Sequence, residues 1–209
     1  MSPTSKCPTM YVVAGPPGSG KSTSFPVALS GFAFFNIDDR AAELNGHSYR
    51  DIPTDVRLRA QQECREFIEG SISAQRSFAV ETTLRDGAAN RQAAQARANG
   101  FTTWMVYVAT GDAGENVRRI AARGKAGGHC APPDVLRRGY ESSLSHLPEA
   151  LSSFDRVELY DNSRQVGMTS STKPEFVACI VEGKAQFLKR SLPAWVRRAL
   201  KAAGIKTRS

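Results

Sequence analysis

Gly15-Pro16-Pro17-Gly18-Ser19-Gly20-Lys21-Ser22-Thr23 has the spacing Gly, four residues, Gly-Lys-Ser. A glycine-rich turn of that length aims several backbone N–H groups at one anion, which is how a phosphate-binding loop works. Its flanks fit the same reading. Met10-Tyr11-Val12-Val13-Ala14 is an unbroken apolar run, expected as a buried strand, and Lys21 to Leu29 is expected as a helix. A helix start adds unpaired N–H groups and a positive dipole end. Gly15 to Thr23 is therefore the expected nucleotide site, with Pro16, Pro17, Gly18, Ser19 and Gly20 as its loop. Lys21 reaches the β- and γ-phosphates, and the Ser22 hydroxyl takes a Mg²⁺ position.

Strands and helices alternate along the rest of the chain. Phe32 to Ile37 is a second apolar run ending in Asp38-Asp39, followed by a loop holding Gly46, His47 and Pro53. Thr54 or Asp55 can cap a long helix to about Ser73, whose Val56, Ala60, Cys64, Phe67 and Ile68 keep helical spacing. Ser77 to Val80 is a third strand, ending at Glu81-Thr82-Thr83-Leu84. An Ala-rich helix from Ala88 to Ala98 and a fourth strand from Thr102 to Ala109 follow. Next come a helix from Ala113 to about Arg123, a glycine-rich loop, a helix from Asp134 to His146 and a fifth strand from Val157 to Tyr160. Phe176 to Val181 is a possible edge strand, and Pro193 can open a last helix. Continuous apolar strands separated by helices, with the phosphate-binding loop after the first, predict a three-layer α/β fold. Its sheet is expected to be mostly parallel, with five to six strands and a small lid at about 119–133.

The 209 residues suit one domain, 41% hydrophobic and 23% charged. No apolar run approaches the roughly 18 residues of a membrane span. The four cysteines, Cys7, Cys64, Cys130 and Cys179, lie far apart and read as reduced thiols in a cytoplasmic protein. The net charge of +8 is concentrated at the end: Lys184, Lys189, Arg190, Arg197, Arg198, Lys201, Lys206 and Arg208 meet no Asp or Glu. Residues 1–183 are thus expected as the catalytic domain and 184–209 as a basic helical extension. That extension is either a solvated amphipathic helix or a contact for nucleic acid or an acidic partner, the former favoured.

In parallel sheets, ligands bind beyond the carboxyl ends of the strands. The phosphate loop, Asp38-Asp39, Glu81-Thr82-Thr83 and Asp161-Asn162 all fall there. Phosphoryl transfer to an alcohol needs ATP held in a cradle, Mg²⁺, positive charge at the γ-phosphate and a carboxylate near the attacking hydroxyl. Asp38 is the expected base, with Asp39 beside it on the substrate; capping, or holding Mg²⁺ through water, is the other reading. Glu81 can accept hydrogen bonds from a sugar-like substrate or support Mg²⁺, and Thr82 and Thr83 can donate to substrate or hold Glu81. Arg119 and Arg123 share a helix face, so both can fold over the triphosphate, whereas Arg118 fits a solvated face best. No His/Cys cluster supports a transition-metal site.

Several pieces together resemble the zeta-toxin family of P-loop kinases, in particular its short members described as ABC-type ATPases. They are Val13 to Thr23, Asn36-Ile37-Asp38, Phe78 to Leu84, Arg119 through Arg123 to Gly127-Gly128-His129, Ser143-Leu144 and Tyr160-Asp161-Asn162-Ser163, in family order across residues 10 to 163. The resemblance implies an ATP- and Mg²⁺-dependent kinase whose acceptor is a hydroxyl of a nucleotide sugar such as UDP-N-acetylglucosamine. It implies Asp38 as base, Glu81 as a substrate contact followed by Thr82 and Thr83, and Arg119 and Arg123 on the γ-phosphate. Asp161 and Asn162 would lie near the adenine. It also implies a small helical antitoxin as partner. Departures from the family pattern include Gly139 where an arginine precedes Tyr140 and His146 where an asparagine is usual. A polynucleotide or nucleoside kinase, and a regulatory ATPase acting through a partner, stay open beside the sugar kinase.

Overall fold

The computed structural model describes residues 7–125, 131–163 and 173–207, with the backbone path alone at 123–125. In chain order the strands are β1 (Thr9–Ala14), β2 (Ala33–Asn36), β3 (Phe78–Thr82), β4 (Thr102–Ala109), β5 (Arg156–Asp161), β6 (Glu175–Val181) and β7 (Lys184–Leu188). The helices are α1 (Lys21–Ser24), α2 (Ile37–Leu44), α3 (Thr54–Ser73), α4 (Ala88–Ala98), α5 (Ala113–Lys125), α6 (Pro133–Ser153) and α7 (Ala194–Ala202), with a 3₁₀ turn at Val27–Leu29. The strands form one sheet in the order β2-β3-β1-β4-β5-β6-β7. The first five in that order run parallel, β6 pairs antiparallel with β5, and β7 pairs antiparallel with β6.

The parallel register levels the strand ends that carry the candidate residues. Glu81 stands opposite both Val13 and Asn36, and Asp161 stands opposite Ala109. The main core lies on one face of the sheet, where Met10, Val12, Phe78, Met105, Tyr107 and Leu159 pack against α3, α4, α6 and α7. The other face is covered thinly. Val13 and Ala79 pack against Val27 of the 3₁₀ turn, and Phe25 lies 4.6 Å from Tyr160 between ring centroids.

Several elements differ from the sequence expectation, each for a local reason. The first helix stops at Ser24, because Pro26 offers no N–H to continue it. Ile37–Leu44 is helical rather than loop, since the Asn36 side chain accepts the N–H groups of Asp38 and Asp39 and so caps it. The helix α6 runs through Pro148 to Ser153, because Leu147, Ala150 and Leu151 are fully buried and their packing outweighs the lost bond. The sheet has seven strands rather than five or six: Glu182 and Gly183, at φ 49° and 71°, form a two-residue hairpin turn that brings in β7. Phe176–Val181 is accordingly interior.

The segment 184–209 is therefore not helical throughout. It adds an edge strand and then α7, which buries Trp195, Val196, Ala199 and Leu200 in the main core and exposes Arg197, Arg198 and Lys201. The centre of the expected lid, residues 126–130 with His129, lies outside the described residues. No helix among the described residues is long and apolar enough to cross a membrane. Among those residues Cys7, Cys64 and Cys179 are free thiols.

Leu200→Ala is expected to cost about 2–5 kcal/mol, as for other fully buried leucines, while Lys201→Ala stays within about 0.5 kcal/mol. Urea unfolding of both variants measures this, and equal effects would place α7 outside the core.

Candidate active site

The loop Gly15–Thr23 leaves β1 and enters α1 with Gly15, Gly18 and Gly20 at φ 143°, 77° and 89°. Crowding as well as backbone angle demands glycine. A Cβ on Gly15 would lie 2.0 Å from the Val108 carbonyl oxygen, one on Gly18 would lie 2.7 Å from that of Asn116, and one on Gly20 would lie 2.3 Å from Asn162 Nδ2. The loop is thus clasped by the ends of β4 and β5 and by α5.

Its carbonyls are held by two asparagines. Asn116 Nδ2 donates to the Pro17 carbonyl at 2.9 Å, while its Oδ1 accepts from the Thr110 hydroxyl at 2.6 Å. Tyr140 Oη donates to the Thr110 carbonyl, tying α6 into the same corner. Burial pushes that phenol up to about 12 and keeps it a donor. Asn162 Nδ2 donates to the Ser19 carbonyl at 2.7 Å. The Asn162 carbonyl accepts from Arg119 Nη2 at 2.7 Å, and Glu115 accepts from the same nitrogen at 2.6 Å. Ser19 Oγ is buried without a hydrogen-bond partner.

At the other end of the loop the Ser22 hydroxyl donates to Glu81 Oε1 at 2.8 Å, and Lys21 Nζ lies 3.8 Å from that oxygen. All three side chains project from strand or helix ends that the β1–β3 register places together. Among the described residues no cluster of three His, Cys, Asp or Glu side chains forms a metal cage. A hydroxyl beside a carboxylate does suit Mg²⁺, which keeps waters and takes most of its oxygens from phosphates.

Beyond this pair opens a cavity of about 390 Å³. Lys21, Asp38, Glu81, Thr82 and Thr83 line it, so five of the expected residues meet around one space. Asp38 stands in the first turn of α2, and α2 is anchored on α3 by Arg40, which pairs with Glu63. Leu84 just beyond Thr83 is fully buried at φ 54°, a conformation that costs a branched side chain energy. The Thr82 hydroxyl accepts the Leu84 N–H across this corner at 3.2 Å, and Thr83 Oγ1 accepts from Arg85 Nε.

Other expected residues fall elsewhere. Asp39 does not line the cavity; its carboxylate accepts the Tyr49 hydroxyl at 2.8 Å, and that bond pushes the phenol up to about 12. Asp39 lies about 100° round the helix from Asp38, on the side where Tyr49 holds it. Asp161 accepts from Trp195 Nε1 at 2.8 Å and from Ser163 Oγ at 3.0 Å, which makes it the fastening of α7 to β5. Arg123 lies on α5, one turn beyond Arg119, and its side chain is outside the described residues.

The cavity also brings in residues that the sequence reading passed over: Arg57, Gln61 and Arg65 of α3, and Arg85 and Arg91 around the start of α4. Their signal was present. Positions 57, 61 and 65 form a polar stripe at four-residue spacing on a helix whose neighbouring stripe is apolar.

No family model and no curated protein matches this chain. Solved structures do. A chain of the PezAT chromosomal toxin–antitoxin system of Streptococcus pneumoniae matches with a TM-score of 0.59 at 14% identity, over 97% of this chain and 86% of that one. The AvrRxo1-ORF1:-ORF2 complex with ATP contains a match with a TM-score of 0.59 at 13% identity, over 95% of this chain and 64% of that one. The fold is that of a P-loop kinase. A chain of the Pnkp1/Rnl/Hen1 RNA repair complex shares it more narrowly, with a TM-score of 0.55 at 16% identity over 69% of this chain and 47% of that one. At these identities the likeness concerns the P-loop kinase fold and leaves the acceptor to the chemistry of the site.

Gly15→Ala is expected to cost about 3 kcal/mol or more, since it adds a clash to an unfavourable backbone angle. Gly46→Ala, at positive φ with open space around it, is expected to cost only about 1–2 kcal/mol. Chemical unfolding of the two variants distinguishes them, and equal costs would remove the close approach of the loop to β4.

Proposed function

We propose that this chain is an ATP-dependent kinase of zeta-toxin type, which transfers the γ-phosphate to a hydroxyl of a nucleotide sugar such as UDP-N-acetylglucosamine. The observation that carries the proposal is the single cavity shared by Lys21, Asp38 and Glu81 beside the phosphate loop. It lets an alcohol reach the γ-phosphate from the side of a carboxylate.

In this reading the loop amides and Lys21 hold the triphosphate of ATP. Ser22 and Glu81 would hold Mg²⁺, which would supply positive charge to the phosphates. Thr82 and Thr83 orient the acceptor. Asp38 accepts the hydroxyl proton as the acceptor oxygen bonds to the γ-phosphorus, and the bond to the β–γ bridging oxygen breaks to release ADP. Arg119 is proposed to swing from Glu115 and Asn162 onto the phosphates, joined by Arg123 as the resemblance implies. Asn162 serves the nucleotide through the loop it fastens, and Asp161 serves it through Asn162 and Trp195.

The toxin–antitoxin neighbour supports a small antitoxin as partner. A second reading, a kinase of polynucleotide 5′-hydroxyls, is favoured by the narrower likeness to an RNA-repair chain and by the exposed cations of α7. Incubation with γ-labelled ATP, Mg²⁺ and either UDP-sugars or oligonucleotides separates the two. Label on the UDP-sugar supports the first, label on a 5′ end supports the second, and label on neither excludes both.

Asp38→Asn is expected to lower transfer by about 10²-fold or more while ATP-analogue affinity stays within about twofold; Asp39→Asn should change transfer by less than about fivefold. Near-normal transfer by the Asp38 variant would remove it as base. Glu81→Gln should raise the Mg²⁺ concentration needed for half-maximal transfer, and an unchanged Mg²⁺ titration would separate Glu81 from the metal.

A further inference from the structure

The basic end of the chain does more than close the core. Gly204, at φ 69°, ends α7 with two hydrogen bonds: its own N–H reaches the Lys201 carbonyl at 3.1 Å, and the Ile205 N–H reaches the Leu200 carbonyl at 2.9 Å. This is the glycine stop in which the residue after the glycine folds back onto the last turns of the helix. Ile205 accordingly packs against the main core. The return of the chain shapes an open groove of about 700 Å³, lined by α7 on one side and by Lys206 and Thr207 on the other.

Four cations line this groove, Arg197, Arg198, Lys201 and Lys206, and among the described residues no Asp or Glu does. None of the four makes an ion pair among the described residues. Arg197 donates to the Leu192 carbonyl just before the helix. Ala194, Arg197, Arg198 and Lys201 are three and four residues apart, so they share one face of α7. Cations near a helix C-terminus oppose its dipole, which gives Lys201 a local role. That role does not explain four cations around an apolar floor of Ala194, Gly204 and Ile205. Single-stranded nucleic acid is held by aromatic rings as well as by charge, and no aromatic ring lines the groove among the described residues. Carboxylates one helical turn apart match cations one turn apart, and apolar side chains between them would rest on the floor.

We propose that the groove on α7 is a docking site for an acidic amphipathic segment of a partner protein. Its carboxylates pair with Arg197, Arg198, Lys201 and Lys206, and its apolar side chains cover Ile205. Exposed ion pairs alone contribute little. Burial of the apolar floor supplies the rest of the affinity, and the cations select for acidic partners. No residue lines both this groove and the cavity of Asp38 and Glu81. The docking is therefore independent of the reaction proposed for that cavity.

The test uses the whole chain and a short fluorescein-labelled peptide with glutamates one helical turn apart and leucines beside them on the same face. Binding is followed by fluorescence anisotropy at physiological salt. The wild-type chain is expected to bind the peptide, and the double variant Arg198→Gln, Lys201→Gln to bind it at least about tenfold more weakly, the loss of two charged contacts. Serine in place of the peptide's leucines should weaken binding to the wild type at least about fivefold. The double variant Arg59→Gln, Arg76→Gln is the control. It removes the same charge from exposed positions in and just after α3, and should change binding by less than about twofold. Absence of peptide binding to the wild type, equal binding by the α7 variant, equal loss in the control, or equal binding of the serine peptide would each overturn the docking site. A labelled oligothymidylate of the same net charge is titrated alongside, and tighter binding of the oligonucleotide would overturn the site in favour of a nucleic-acid contact. Arg198 and Lys201 are exposed and the buried face of α7 is left intact, so folding is expected to survive their replacement.

Discussion

Two asparagine side chains hold the phosphate loop in shape from outside. A loop that turns its N–H groups toward a ligand must turn carbonyls the other way, and buried carbonyls need donors. Asn116 supplies one to Pro17 and Asn162 supplies one to Ser19. Each asparagine is held in turn, Asn116 by Thr110 and Asn162 by the end of β5. The chain of contacts runs on through Asp161 to Trp195 and so to α7. The last helix is thus part of the frame around the loop, although its outer face exposes Arg197, Arg198 and Lys201.

The opposite side of the cavity is built differently. There the positions come from strained or capped backbone rather than from long hydrogen-bonded relays. Asn36 ends β2 and begins α2 in one step, which sets Asp38 at the cavity and turns Asp39 to Tyr49. Leu84 holds an unfavourable φ because its side chain is locked in the core, and the corner it makes delivers Thr82, Thr83 and Arg85 to the same space. The loop side is braced by hydrogen-bonded relays, and the other side of the cavity is shaped by the ends of short elements.

Much of this was legible in the residues. The motif Gly15 to Thr23, the continuous apolar strands and the polar strand ends are local patterns, and local patterns set backbone conformation and the succession of elements along the chain. The β6–β7 hairpin was also present in Glu182-Gly183, a turn signal overlooked beside the basic run that follows it. The helix α2 was missed because its cap is a single asparagine at a strand end, and the apolar run before it hid the change of period.

The remaining features depended on partners far away in sequence. Asn116 meets Pro17 across 99 residues and Asn162 meets Ser19 across 143. No spacing rule links such pairs, since only the packed sheet brings them together. The same holds for Arg65 and Arg91, which look like ordinary solvated helix charges until α3 and α4 are laid side by side. The order of elements and the identity of the phosphate loop thus follow from short-range stereochemistry. Which aspartate faces the cavity, which side chains brace the loop and which arginines line the cavity follow from the direction each side chain takes once the helices are packed.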